Sequence, residues 1–414
     1  MPRSVGPSRP PADAGPPYPF RQFIVKVHGR CNLACRYCYL YEGPDTGWRD
    51  RPAAASDAVL ALTADRIAEH AAAHRLPAVS LVLHGGEPLL AGTERLAAFA
   101  GLVRRRVPGH TRVRVTLQTN ATLLTAARVR DLARARIAVG VSLDGGRARH
   151  NTARVDHAGR PSWPAALRGT RLLAEHAPEA YAGILLVVDP ARDPAEVYRS
   201  LLRLRPPAVG LLLPHGNWSA PPPGLHPPPG PPVRAGAGAP APYGDWLAAV
   251  FDLWWGAGRR QTRVRLFEDA VAALLGLPAG SESLGLDPFT AVVVETDGSL
   301  EQVDSLKSAY PGAAATGLTL GRNSFDDALT HPGIAARQSG PAALAADCRA
   351  CPLLHACGGG HYAHRHRAGA GFGHPTVYCA DQQRFLHHVA AALARATGTG
   401  PARDPTTAGE GGTR

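Results

Sequence analysis

Hydrophobic and polar positions follow two alternating patterns through the first half of the chain. Short β-branched runs predict strands, and the stretches between them have helical apolar spacing. The predicted strands are Phe23–His28, Val79–His84, Val113–Gln118, Ile137–Leu143, Ile184–Val188 and Val209–Leu213. Helical spacing is clearest at Ala61–His74, Leu96–Val103 and Val197–Leu204. This alternation predicts an α/β fold with a parallel sheet, and six strands in about 190 residues suit either an open, partial barrel or a doubly wound sheet.

The second half of the chain is less regular. Helical patterns occupy Trp246–Trp255 and Val264–Leu275, and a turn at Asp297-Gly298 predicts a hairpin joining Ala291–Glu295 to Leu300–Val303. A last helix ends near Ala396. These patterns divide the chain into a disordered arm at 1–20, an α/β unit at 21–218, a Pro/Gly-rich linker or loop at 219–243, a bridging region of helices and a hairpin at 244–340, a cysteine-rich domain at 341–396 and a disordered tail at 397–414.

Composition narrows the partners and the compartment. The 414 residues contain no apolar run near the roughly 18 residues that span a bilayer, and no signal peptide, so we expect a cytoplasmic protein without a membrane partner. The formal charge of +12 comes almost wholly from scattered arginines, since Lys26 and Lys307 are the only lysines. Without interleaved aromatic residues, this charge predicts solvated faces and no nucleic-acid partner. An odd count of seven cysteines favours thiolate chemistry over disulfides.

Three cysteines form a compact motif directly after the first predicted strand. Cys31, Cys35 and Cys38 have the spacing C-x3-C-x2-C. Three thiolates can ligate three irons of a cubane and leave the fourth iron open to an amino-carboxylate ligand. A zinc site ordinarily has four protein ligands, so the spacing favours a cluster, with zinc as the alternative.

Three polar motifs end the next three predicted strands. They contain Gly85, Gly86 and Glu87, then Gln118 and Asn120, then Ser142 and Asp144. Each by itself is compatible with an ordinary turn. Because the carboxyl ends of parallel strands share one edge of a sheet, the three motifs and the cysteines together predict a cofactor site there.

The sequence from Cys31 to Cys38, followed by Gly85-Gly86-Glu87-Pro88, resembles the radical S-adenosylmethionine (SAM) enzymes. The resemblance implies a partial (β/α)6 barrel, a SAM-binding [4Fe-4S] cluster, and generation of a 5'-deoxyadenosyl radical that abstracts hydrogen from a substrate. It also implies that backbone carbonyls at Gly85, Gly86 and Glu87 hold the methionyl amine and that Tyr37 lies against the adenine. Ser142 and Arg154 match the positions that the related sulfatase-maturating enzymes use on the methionyl carboxylate.

The other four cysteines form a second group, Cys348, Cys351, Cys357 and Cys379. Four thiolates can complete either a cubane or a zinc tetrahedron. The pattern resembles the SPASM domain of peptide-modifying radical enzymes, which implies an auxiliary [4Fe-4S] cluster at these positions. His361 stands where the full motif has a cysteine, and Val303 stands at a second expected ligand position, so we predict two clusters in total.

Several histidines leave their role open. His361, His364 and His366 form a short run that suits either metal binding or a loop beside a cysteine-ligated cluster. His215, after the sixth predicted strand, suits either substrate contact or a structural role.

The C-terminal third and the segment from Leu213 to Trp218 resemble the FxsB group of radical SAM/SPASM proteins. The resemblance implies modification of a ribosomally made precursor peptide, with an aromatic side chain joined to a nearby β-carbon, and an electron donor such as a flavodoxin or a ferredoxin. Asp304 matches the position of the catalytic base in the sulfatase-maturating enzymes, although it could also cap a helix or pair with a cation. The alternatives are formylglycine formation of the sulfatase-maturating type and a noncatalytic iron–sulfur or zinc scaffold that delivers a peptide.

Overall fold

The computed structural model describes residues 17–227, 230, 234–236 and 238–398. Within these residues the strands form one ten-stranded sheet in the order β10-β9-β8-β1-β2-β3-β4-β5-β6-β7. The strands are β1 (Gln22–His28), β2 (Ala78–Gly85), β3 (Arg112–Thr119), β4 (Ile137–Ser142), β5 (Tyr181–Val187), β6 (Ala208–Leu212), β7 (Arg263–Val264), β8 (Ala291–Val294), β9 (Ser299–Glu301) and β10 (Ala315–Thr319).

Strands β1 to β6 pair in chain order and all run parallel. Helices connect them, as right-handed crossovers between parallel strands require. Alternate residues of β2 are buried, among them Leu81 and Leu83, and they pack in the main core with Val139 and Val141 of β4. The α/β fold with an open, partial barrel is therefore confirmed.

The helices cover this sheet and extend into the C-terminal half. They are α1 (Asp57–Ala73), α2 (Thr93–Arg106), α3 (Ala126–Arg134), α4 (Trp163–His176), α5 (Pro194–Leu202), α6 (Pro242–Trp255), α7 (Arg265–Leu274), α8 (Phe325–Leu329), α9 (Pro332–Gln338), α10 (Ala346–Arg349), α11 (Leu354–Cys357) and α12 (Cys379–Thr397). Side-chain caps fix several starts, since Ser56, Thr125 and Asp193 each accept a backbone N–H three residues on.

The hairpin of the second half joins the same sheet as the barrel. Strand β8 pairs in parallel with β1, and β9 returns antiparallel to β8 through a turn in which Gly298 has φ of +83°. Strand β8 lies on the side of β1 that is opposite β2. The segment that follows β9 therefore reaches the edge of the sheet at which the loop after β1 begins. This pairing brings Asp304 to the predicted cofactor site.

Two predicted boundaries need correction. The disordered arm was expected to reach residue 20, but Phe20 is fully buried against Phe325 and His70, so ordered chain begins earlier. The linker was expected to reach residue 243, but α6 begins at Pro242 and Tyr243 is fully buried. Residues 1–16 and 399–414, and six positions within the Pro/Gly-rich segment, lie outside the described residues.

Across the described ranges, no helix combines the length and the apolar character that crossing a membrane requires.

Candidate active site

The first three cysteines lie on the irregular loop that leaves β1. Backbone hydrogen bonds hold this loop, with Ala34 N donating to Val155 O at 2.8 Å and Arg36 N to Ala153 O at 2.9 Å. Burial, together with the charges of Glu87, Cys35 and Cys38, raises the pKa of the Cys31 thiol to about 12. The thiols are therefore close enough to repel one another as thiolates. A bound cation such as cluster iron would remove that repulsion, so this donor set fits an iron–sulfur cluster.

The glycine motif after β2 packs tightly under this loop. A Cβ atom at Gly85 would clash with the carbonyl oxygen of His28, and one at Gly86 would clash with the carbonyl oxygen of Arg30. Only glycine allows so close an approach of two backbones. The motif is therefore built to present its backbone at the cysteine loop.

The Glu87 side chain is fully occupied within the protein. Its carboxylate accepts hydrogen bonds from Thr119 Oγ1 at 2.7 Å, Asn120 N at 2.9 Å and Leu89 N at 3.0 Å. These bonds tie the end of β2 to the end of β3. Glu87 thus orders the rim, and its backbone N–H also donates to Arg30 O at 3.0 Å, which holds it against the cysteine loop.

A buried polar chain connects Tyr37, Asp144 and Arg154. Tyr37 Oη donates to Asp144 Oδ2 at 2.5 Å and accepts from Arg154 Nη1 at 2.6 Å. Arg154 Nε is buried without a partner among the described residues. Although burial opposes its charge, neighbouring Tyr37, Asp144 and Cys35 raise the pKa of Arg154 above its usual range. A buried guanidinium with an unused donor beside the cysteines suits a ligand carboxylate.

The remaining rim residues hold one another in place. Gln118 Nε2 donates to Ser142 Oγ at 2.8 Å, which leaves the Ser142 hydroxyl proton free to donate. Asn120 Nδ2 donates to Asn32 Oδ1 at 2.9 Å, within the cysteine loop. The structure thus brings every predicted SAM-site residue to one edge of the sheet.

Asp304 lies at the same edge, inside a cluster of buried charges. Lys26 Nζ is 2.7 Å from Asp304 Oδ2 and donates to Gly85 O at 3.3 Å, so one side chain joins Asp304 to the glycine motif. Lys307 Nζ is 3.2 Å from Asp304 Oδ1. Burial alone would raise the pKa of Asp304, but Lys26 and Lys307 outweigh it and hold that pKa well below its usual range.

The charges in this cluster balance. Besides Asp304, the carboxylates of Glu295 and Glu301 lie 2.5 Å and 2.8 Å from Lys307 Nζ. Arg51 contacts the same two glutamates, at 3.2 Å and 2.7 Å. Each of the three buried carboxylates therefore has a cationic partner, and Arg51 also contacts the more exposed Asp297 at 3.5 Å, so the trio is neutralised without a metal ion. Sequence reasoning found Asp304 and allowed that it pairs with a cation, but it did not find Lys26, although this is one of only two lysines among 45 basic residues.

The four C-terminal cysteines also share one location. Burial raises the pKa of Cys357 to about 12, and the charges of Cys379 and Cys348 add to that rise; Cys351 acts on Cys379 in the same way. The Arg365 guanidinium opposes the rise at Cys357. Four mutually repelling, largely buried thiols with one adjacent cation fit a bound metal or cluster.

His215 and two histidines of the run, His361 and His364, come together in space. His215 Nδ1 is 3.2 Å from His364 Nε2, and the His215 and His361 rings are 5.2 Å apart. His366 stands aside from them, against Tyr310 and Phe372. The sequence left the role of these four histidines open. Only the tertiary structure separates His215, His361 and His364 from His366.

Comparison with known proteins agrees with this geometry. Residues 25–201 match the Radical SAM superfamily, and the protein is an enzyme that uses a [4Fe-4S] cluster and SAM. This sets aside the noncatalytic scaffold.

Among similar proteins is the serine-type anaerobic sulfatase-maturating enzyme of Klebsiella aerogenes, which is 28% identical over 391 residues, covering 92% of this chain and 88% of the relative. The solved structure of native anSMEcpe with bound AdoMet has a TM-score of 0.73 at 21% identity and covers 91% of this chain and 99% of that one. Streptococcus suis SuiB bound to precursor peptide SuiA has a TM-score of 0.56 at 14% identity, covering 87% and 76%. At these identities the two structural likenesses establish the fold alone.

Proposed function

We propose that this radical SAM enzyme is a peptide maturase that joins an aromatic side chain of a ribosomally made precursor to a nearby β-carbon. The observation that carries the proposal is the position of Asp304, which Lys26 links directly to Gly85 of the SAM motif. An ionised carboxylate beside the radical source can take the proton that an aromatic ring must lose when it forms a new bond.

The residues of the rim would bind and orient the cofactor. Cys31, Cys35 and Cys38 would hold the SAM-binding cluster, while Arg154 and Ser142 would hold the methionyl carboxylate. Tyr37 already bridges Asp144 and Arg154, so it fixes the guanidinium for that contact. Gln118 and Asn120 would keep Ser142 and the cysteine loop in position.

Hydrogen and charge balance in this reaction. When bound, SAM and the clusters supply hydrogen-atom abstraction by the 5'-deoxyadenosyl fragment and an acceptor for one electron. The peptide loses one hydrogen atom from the β-carbon and one proton and one electron from the ring; Asp304 would take the proton, and the acceptor would take the electron. Its low pKa makes Asp304 a weak base, which is sufficient because a ring that has lost an electron is strongly acidic.

The C-terminal region would contribute the electron acceptor. We propose that residues 341–396 form an auxiliary-cluster unit in which Cys348, Cys351, Cys357 and Cys379 hold a second [4Fe-4S] cluster. A reaction that removes two hydrogens requires such an acceptor, whereas a redox-neutral epimerisation does not.

Formylglycine formation is the second candidate. The similarity to a serine-type sulfatase-maturating enzyme over 391 residues favours it. His361 and Val303, which stand at expected ligand positions of a further cluster, count against it. Oxidation of a serine also removes two hydrogens, so product mass alone does not separate the two reactions.

The test uses anaerobically reconstituted enzyme, SAM, a reductant and synthetic peptides encoded beside the gene, deuterated at β-carbons. We expect deuterium in 5'-deoxyadenosine and a product lighter by two hydrogens that resists fragmentation between the joined residues and does not react with hydroxylamine. A product that forms an oxime with hydroxylamine would contain an aldehyde and would establish the formylglycine reaction instead.

The role of Asp304 has its own test. Asp304→Asn should lose most peptide product while keeping cluster content and reductive SAM cleavage. Asp297→Asn, in the turn of the preceding hairpin and more exposed, is the matched control and should retain product formation. Full product formation by Asp304→Asn would remove the proposed base.

A further inference from the structure

We propose that His215, His361 and His364 bind one divalent first-row transition ion, at a site separate from both cysteine groups. One ring nitrogen from each residue lies within 4.8 Å of the others. Neutral imidazole is a preferred ligand of zinc, iron, nickel and copper ions. The three histidines are called the histidine triad below.

The spacing within the histidine triad matches a coordinated ion. His215 Nδ1 and His364 Nε2 are 3.2 Å apart. Two nitrogens bound tetrahedrally to zinc at about 2.0–2.1 Å lie about 3.3 Å from each other. The observed separation therefore needs little adjustment on binding.

The hydrogen bonds of the triad do not form a complete network by themselves. His361 Nδ1 accepts only a long hydrogen bond of 3.3 Å from Ala363 N, which a bound ion would replace, and His364 Nδ1 is buried without a partner among the described residues. On the outer side, Glu282 Oε2 is 3.6 Å from His361 Nε2. Metal-bound histidines commonly direct their second nitrogen to such a carboxylate.

The two segments that carry the triad are already held together. Tyr378 Oη donates to Pro214 O at 2.7 Å, next to His215. Trp218 N donates to His366 O at 3.0 Å, and Trp218 Nε1 donates to Pro375 O at 2.7 Å. The site is therefore preorganised, and most of the ordering that metal binding would require is complete beforehand.

The surroundings also favour neutral rings. Burial lowers the pKa of His215 to about 4 and lowers the pKa of His364 well below its usual value. The rings contact Tyr39 and Tyr378, with ring centroids 4.5 Å and 5.0 Å away. A bound ion would connect the loop after β6 with the segment after Cys357, through His215 and His364, which are 149 positions apart in the chain.

Zinc is the probe, and the test uses holoenzyme with both clusters reconstituted anaerobically. After incubation with zinc and desalting, we expect about one zinc per chain with a nitrogen/oxygen shell at about 2.0–2.1 Å in X-ray absorption and no sulfur at about 2.3 Å. Cluster iron and sulfide should not change. Failure to bind zinc would leave SAM cleavage and peptide chemistry untouched, so this result is independent of the proposed function.

Substitution then assigns the ligands. His215→Gln and His364→Gln should each weaken zinc binding at least tenfold, measured against a chromogenic chelator, with full cluster content. His366→Gln, in the same run but outside the triad, is the matched control and should bind zinc as the wild type does. No bound zinc, a sulfur shell in the wild-type spectrum, or undiminished binding by the triad variants would each overturn the proposal. The wild-type spectrum decides the question even if a variant fails to fold.

Discussion

The two cysteine groups lie in different environments. Cys31, Cys35 and Cys38 lie on a loop at the sheet edge, beside Arg154 with an unused donor. The C-terminal thiols are surrounded by contacts of the protein itself: Cys357 Sγ is 2.8 Å from Gln382 Oε1, and Gln383 Nε2 donates to Cys379 Sγ at 3.3 Å. Cys31 Sγ also accepts hydrogen bonds, from Leu33 N at 3.4 Å and Asn120 Nδ2 at 3.8 Å, so the feature that separates the first environment is the donor of Arg154 that has no partner among the described residues. The difference suits one site for reaction and one for electron transfer.

The largest effect is expected from removing the first cysteine group. Changing Cys31, Cys35 and Cys38 together to alanine should remove about half of about eight irons per chain, as expected for two four-iron clusters. SAM cleavage should fall to background, because the ligands of the SAM-binding cluster are gone. Iron analysis and 5'-deoxyadenosine release measure both effects, and persistent SAM cleavage would contradict the assignment.

The second largest effect is expected from removing the C-terminal cysteine group. Alanine at Cys348, Cys351, Cys357 and Cys379 should remove the other half of the iron, again about four per chain. Reductive SAM cleavage without peptide should survive, and peptide product should not form. Loss of SAM cleavage in a variant with native circular dichroism would show that the two groups do not act separately.

A smaller effect is expected from removing the guanidinium of Arg154 beside the first cysteine group. Arg154→Ala should weaken SAM binding by roughly 2–5 kcal/mol, because the ligand carboxylate would lose its buried cation. Isothermal titration on the reconstituted enzyme measures this loss. Arg149→Ala is the control, since Arg149 is exposed and pairs with Glu196. Unchanged affinity in Arg154→Ala would show that the carboxylate binds elsewhere.

The smallest effect concerns the pH dependence of stability at the contact between the N-terminal and C-terminal halves of the chain. His70 of α1 packs against Phe325 of α8, and burial lowers its pKa despite neighbouring Asp326. Because the folded state then binds a proton less readily than the unfolded state, stability should decrease as pH falls below the usual histidine value of about 6.5. Thermal midpoints at pH 7.5 and 5.5 should differ less in His70→Gln than in the wild type. His74→Gln, the half-exposed neighbour that also pairs with Asp326, should keep the wild-type difference.

Strands and rim motifs could be predicted from the sequence because their signals are local. A buried strand requires a short apolar run, so β2 was expected at Val79–His84 and extends over Ala78–Gly85. Parallel strands bring their carboxyl ends to one edge, which is why Glu87, Ser142 and the first cysteines could be placed together in advance. The ends of the ordered region were less predictable, because the burial of Phe20 depends on Phe325, 305 positions away.

The sequence by itself determined the class of enzyme, since spacing within a few residues decides which thiolates and glycines can meet one cofactor. Only the tertiary structure decided which distant side chains share a site. Lys26 meets Asp304 because β8 pairs with β1, and His215 meets His364 because the C-terminal segment folds back onto the loop after β6. Electrostatic pairing and metal coordination depend on distances of a few ångströms between side chains, and the local sequence does not contain the distance between residues that are far apart in the chain.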